Sequence, residues 1–323
     1  MKRLPTLALL LLILISGCNR GPLVYRDKVA GYEIVIKALP GSVSAAEANS
    51  LMRRAVKMFA GRIKPFSKED NPLLRLSSGT PQTLTPELME LVRASQSFTA
   101  ATDSLWNPFL LGLLRSSKSS GSPPADLETA VQSARAAIFR FESDNRVSVD
   151  GGHYPDLKML ALGSAVDDAV KVLSDGGVMA GMFTAGGVTC YWGELPTEPI
   201  WSIPLSSQPN DTIRYNLNHP SDSFALLDIG EYAPAQRLAI WQTAVNQSAE
   251  ADTTPIAQIA VWAPRAASAA VLAETALTIG HREALQRFAG RDTIGVLFRY
   301  LNADDAAVET NPAMAPYVSV DIP

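Results

Sequence analysis

Few residues in this chain have the types and spacing that chemistry needs. Gly186–Gly187 close the apolar run MAGMFTAGG. Two consecutive glycines have no Cβ, so their backbone N–H groups can approach a phosphate. The same pair also makes a tight turn between two strands, and spacing alone favours the turn. Glu274 and Thr278 stand four residues apart and put an acid and a hydroxyl on one helix face. The plain reading is a glutamate on a solvated helix face. Asp167 and Asp168 fall in the first turns of a helix expected from about Ser164, where negative charge suits the helix dipole. The three histidines, His153, His219 and His281, accompany no Gly-x-Ser-x-Gly motif. His153, beside Gly151–Gly152, and His219, in RYNLNHPSD, both read as loop residues. The two cysteines, Cys18 and Cys190, are too few for a multi-cysteine zinc site.

The elements that must position these residues follow from hydrophobic patterning. GYEIVIKAL (31–39) alternates as a strand. Ser44-Ala-Ala-Glu47 opens a helix through about Phe59 with a capping-box pattern. Thr85 and Pro86 open another. RSSKSSGSPP (115–124) reads as a surface loop or linker, and helix resumes over 126–137. RVSVD (146–150), VMAGMFTA, VTCYWG, IWSIPL, PIAQIAVWA and TIGVLFRYL read as strands. Helices are expected at 266–279 and 282–288, and Gly176–Gly177 suit a helix exit. The irregular interleaving predicts an α+β fold of mixed β-sheets flanked by helices. The 323 residues are 47% hydrophobic and 19% charged, with a net charge of −4 and no basic cluster, so nucleic acid is not an expected partner.

At the N-terminus, Lys2 and Arg3 precede LALLLLILI, a run too short to span a bilayer comfortably. ISGC (15–18) resembles the lipobox of bacterial lipoproteins. The resemblance implies a signal peptide over 1–17, acylation of Cys18, a tether over 18–28 and one domain over 29–323. It further implies a lipid-anchored protein in the bacterial periplasm. Asn19, in place of an aspartate after the cysteine, favours the outer membrane over the inner. With Cys18 committed to lipid, Cys190 has no intramolecular disulfide partner.

The order of the remaining segments resembles the FAD:protein FMN transferase (ApbE) family. FSKEDNPLLRL, TDSLWNPFLLGLL, DLKMLALGSAVDDAVKVLSDGGV, TAGGVTCYWG and AAVLAETALTIGHREAL stand where that family has its characteristic segments. The resemblance implies the family fold, with FAD as substrate and Mg2+ as cofactor. The reaction it implies passes FMN to a Thr or Ser hydroxyl of a flavin-accepting partner protein while AMP leaves. Carried over residue by residue, Gly31, Gly163, Asp167, Ala185, Gly186 and Gly187 would contact flavin. The Ala161 carbonyl, Glu274 and Thr278 would hold the metal. Several family positions differ: Leu162 replaces a lysine, Val188 an aspartate, Glu69 a tyrosine and Asn107 an aspartate. IWQTAVNQ (240–247) lacks the family histidine, and LLDIGEY keeps only Gly230 and Tyr232. Three readings stay open: an FMN transferase, an inactive descendant that binds flavin or docks a protein, and a structural lipoprotein without ligand.

Overall fold

The computed structural model describes residues 21–67, 71–120, 126–196, 199–205, 214–217, 222–228, 256–300 and 308–321. In chain order the elements begin with β1 (Leu23–Val29), β2 (Tyr32–Leu39), α1 (Ala45–Ile63), α2 (Pro72–Arg75) and β3 (Gln82–Thr83). There follow α3 (Pro86–Ala101), α4 (Pro108–Ser120), α5 (Leu127–Ala136), β4 (Phe139–Ser143) and β5 (Arg146–Val149). The central part holds α6 (Lys158–Asp175), β6 (Ala180–Ala185), β7 (Val188–Trp192), β8 (Ile203–Pro204), β9 (Arg214–Leu217) and β10 (Ser223–Asp228). The last part holds β11 (Ile256–Ala263), α7 (Ala266–Ile279), α8 (His281–Phe288), β12 (Gly295–Tyr300), β13 (Val308–Thr310) and β14 (Val318–Asp321).

The core is an eight-stranded sheet ordered β1-β2-β6-β7-β10-β11-β12-β13. Every described neighbour in it pairs antiparallel. Side chains alternate between its faces, as the pleat demands. Ile34, Ile36 and Ala38 of β2 and Phe183 and Ala185 of β6 are buried in the main core with residues of α1, α6 and α7. Met182, Tyr191, Phe224, Ala260 and Trp262 point the other way, into a smaller cluster with Trp201, Leu205 and Met314. Two three-stranded sheets, β14-β9-β8 and β3-β5-β4, complete the described strands. This is the expected α+β arrangement of sheets flanked by helices.

Local chemistry accounts for the helix starts. Ser44 Oγ accepts from the Glu47 N–H, Thr85 Oγ1 from the Leu88 N–H, and Asp126 from the Thr129 N–H. Several elements differ from the sequence expectation. A charged edge strand, β1, begins at Leu23 within the segment expected as tether, and its charged side chains suit an edge. Helix α4 continues to Ser120, so Arg115 is helical and not in a loop; residues 121–125 lie outside the described residues. Helix α6 begins at Lys158, six residues before Ser164, and places Asp167 and Asp168 mid-helix. IWSIPL forms a short 3-10 turn and the two-residue strand β8. Among the described residues no helix is long and apolar enough to cross a membrane.

Candidate functional site

Gly186 and Gly187 link β6 to β7 with φ of 55° and 81°. Positive φ at both residues of a two-residue loop is the geometry that twists a hairpin correctly. A Cβ at Gly186 would lie 2.6 Å from the Tyr32 ring and 2.9 Å from Leu162 Cδ2. A Cβ at Gly187 would lie 2.4 Å from the Leu226 carbonyl oxygen. The Leu226 N–H in turn donates to the Gly187 carbonyl at 2.8 Å. The pair is therefore a hairpin turn pressed between a tyrosine, a leucine and the next strand. Ala185 is fully buried in β6, and Gly31 sits in the β1–β2 turn with nothing against it.

Helices α6 and α7 meet at Gly163, where a Cβ would come within 2.6 Å of the Ala266 carbonyl oxygen and the Ala267 Cα. Only glycine permits that backbone approach. One turn further along α6, Asp167 accepts from the Ala266 N–H at 2.8 Å and the Ala267 N–H at 3.2 Å. Helix α7 has no side-chain cap of its own at Arg265, so Asp167 caps it from the neighbouring helix. Its dipole partner is thus the N-terminus of α7 and not the start of α6. Burial pushes the Asp167 carboxyl up, against the pull of those two N–H groups. Asp168 instead pairs with Arg62 at 2.7 Å.

Glu274 is 1% exposed, so it does not lie on a solvated face. Its Oε2 accepts from the Trp106 indole N–H at 3.0 Å. Its Oε1 has no hydrogen-bond partner among the described residues and faces Arg115 Nη2 at 3.7 Å. The same guanidinium ion-pairs through Nε with Asp156, which is also 1% exposed. Asp156 Oδ1 accepts from the Lys158 N–H at 2.9 Å and so holds the first turn of α6. Burial first, and Asp156 second, push the Glu274 carboxyl well above its ordinary 4.5, with Arg115, Trp106 and Lys158 pulling the other way. Sequence reading singled out Glu274 but missed Trp106, Arg115 and Asp156. The available signal was the helix itself: AAVLAETALTI is apolar all round, and such a helix is buried with any acid it carries.

The oxygens expected to hold Mg2+ are engaged. Ala161 lies inside α6, where its carbonyl belongs to the helical ladder. The Thr278 hydroxyl donates to the Glu274 carbonyl at 2.7 Å. The Glu274 carboxylate faces a fixed cation. A hard cation takes about six oxygen ligands, and the described residues contain no group of three or more His, Cys, Asp or Glu placed to hold one. These residues do not fit Mg2+. Nor does the side of the glycine turn filled by Tyr32 and Leu162 fit a pyrophosphate. His219, Gly230, Tyr232 and the 240–247 segment lie outside the described residues. His281 is buried with its ring edge-on to Phe298 and Tyr300, and His153 bonds the Ser133 hydroxyl. The buried Cys190 thiol is pushed up to about 12 by desolvation, which leaves it protonated and inert as a nucleophile.

A cavity of about 320 Å³ lies between the C-terminal end of α3, α7 and α8, with Thr102, Asp103, Leu272, Thr275 and Arg291 among its walls.

The antiparallel sheet flanked by helices is a fold already seen in solved structures. Three solved structures of low sequence identity carry that fold. The Pseudomonas stutzeri flavinyl transferase ApbE aligns at 16% identity and a TM-score of 0.69 over 92% of this chain and 96% of its own. The Thermotoga maritima ApbE protein aligns at 16% and 0.65, over 92% and 99%. The Vibrio cholerae flavin transferase ApbE aligns at 15% and 0.63, over the same two shares. The chain belongs to the ApbE family, whose model matches residues 31–298. No curated protein matches it.

Proposed function

We propose that this chain is a lipid-anchored, periplasm-facing member of the ApbE family that no longer performs Mg2+-dependent FMN transfer. One observation carries the reading: Tyr32 and Leu162 press on the glycine turn where the family resemblance calls for a flavin contact. Anchoring through Cys18, with Asn19 directing the protein to the outer membrane, follows from the lipobox and the charged, short leader before it. The test starts with the purified, leader-less protein, scanned for flavin absorbance and then incubated with FAD, Mg2+ and an acceptor bearing the family's threonine. No AMP release is expected. AMP release that depends on Mg2+ overturns the reading.

A second reading keeps flavin. The 320 Å³ cavity includes Thr102 and Asp103 of TDSLWNPF, a segment matched to the family, and Arg291 on its wall offers a charge for phosphate. Bound FAD without AMP release supports this flavin-holding descendant; Mg2+-dependent AMP release supports the full family reaction, FMN transfer to a partner's hydroxyl.

A further inference from the structure

We infer that the cavity between α3, α7 and α8 is a binding site for a small amphipathic anion: an aromatic or branched hydrocarbon body with one carboxylate, sulfonate or phosphate, met by Arg291. This goes beyond the functional readings above. None of the residues carried over from the family resemblance as flavin or metal contacts lines this space, and the site requires no metal.

Ser268, Leu272 and Thr275 recur at i, i+4 and i+7, so one face of α7 forms a wall of the cavity, and Glu274 lies on another face of that helix. Phe98 and Leu105 close one side, from α3 and the turn after it. Phe288 and Ile294 close the other, from α8 and the loop before β12. The Thr102 and Thr275 hydroxyls are spent on the Phe98 and Val271 carbonyls, at 2.9 and 2.8 Å, which leaves these walls mainly apolar. At about 320 Å³ the space is at the small end of ligand pockets, which run from about 300 to 1,000 Å³, and suits a body of roughly one or two rings. The charged residues of the lining, Asp103, Arg287 and Arg291, are all exposed and so belong to the mouth. Arg287 is held by Glu283 at 2.5 Å. Arg291 pairs with no acid among the described residues and is the guanidinium left for an anionic head. An apolar body with a single negative group matches both ends of the cavity; a second negative group would meet Asp103. The backbone at the mouth is also strained. Asp103 and Ser104 follow one another at φ of 51° and 63° without a glycine between them, and strain of this kind collects at binding sites.

The probes are anilinonaphthalene sulfonate, an aromatic body with one anionic group, and its uncharged counterpart phenylnaphthylamine. Each is titrated by fluorescence into the purified, leader-less protein at low salt. The wild type should bind one sulfonate dye per chain. Arg291→Gln should weaken that dye roughly five- to tenfold, the loss expected of one charge-assisted contact, and leave the uncharged dye as it was. Arg282→Gln removes the same charge from an exposed position outside the cavity and should alter neither. Leu272→Trp fills the space from α7 and should abolish binding of both. Should Leu272→Trp not fold, Ala101→Trp, at the exposed end of α3, takes its place with the same expected loss. Absence of stoichiometric binding by the wild type overturns the proposal, as does sulfonate binding that ignores Arg291→Gln or survives the tryptophan. FAD is then added as a competitor; its displacing the dye or not bears on the flavin-holding reading alone, because the dye titrations are complete without it.

Discussion

Glu274 shows how burial changes the meaning of a residue that the sequence makes conspicuous. An acid and a hydroxyl at i and i+4 look like ligands on a helical wheel, yet Thr278 spends its proton on the Glu274 carbonyl and the carboxylate faces a tryptophan and an arginine. The consequence is measurable. Desolvation beside Asp156 raises the folded-state value above the ordinary 4.5, so the folded chain keeps a proton that the unfolded chain releases. The associated stability is full below the ordinary value and is lost as pH rises through the folded one. Glu274→Gln should therefore flatten the decline of the urea midpoint between mildly acidic and mildly alkaline buffer. A variant whose slope matches wild type across that window refutes the assignment. Asp167 makes the complementary case. Asp167→Ala removes the cap from α7 and should cost about 1–2 kcal/mol in urea unfolding, while Asp168→Ala, which removes a partly exposed ion pair, should cost less. Neither role was legible in the sequence, because the capped N–H groups of residues 266 and 267 lie a hundred positions away in the chain.

At the scale of elements, the strongly patterned segments were legible and the weakly patterned ones were not. Helix α7 spans 266–279 as its apolar run and following Gly280 indicate, and the strand at 256–263 follows its β-branched and aromatic run. The α4 extension was hidden because RSSKSS is rich in residues common in loops, while the apolar face that holds the helix in place lies earlier, in PFLLGLL. Strand β1 was hidden because its charged residues offer no alternation, and among the described strands it pairs with β2 alone. The crossing of α6 over α7 rests on Gly163, whose position was visible and whose reason was not. Gly163→Ala should push the two backbones apart and cost about 1–3 kcal/mol, in the range of other overpacked cores. Gly61→Ala, where a Cβ meets nothing, should be neutral or slightly stabilising. Equal effects of the two substitutions in denaturant titrations exclude the close-crossing explanation. The hairpin glycines follow the same logic: Gly187→Ala combines a left-handed backbone with a 2.4 Å approach to the Leu226 carbonyl oxygen and should destabilise more than Gly31→Ala.

The whole molecule joins these parts along one direction. Strand β2 runs eight residues, roughly 23 Å at the usual rise per residue, from the β1–β2 turn at Gly31 to Leu39. Leu23 pairs with Ala38, so the start of the described chain lies at the Leu39 end. Ala185 pairs with Ile34, which puts the Gly186–Gly187 turn at the other. Replacing Cys18 with serine should release the protein from the membrane fraction into the soluble periplasm; retention of Cys18→Ser in membranes contradicts the proposed anchor. With lipid on Cys18, the four residues from 19 to 22 can span at most about 14 Å. The two poles of the sheet then have unequal company: one stays moored beside the bilayer, while the other, bearing the hairpin turns, can be reached by a macromolecule arriving through water.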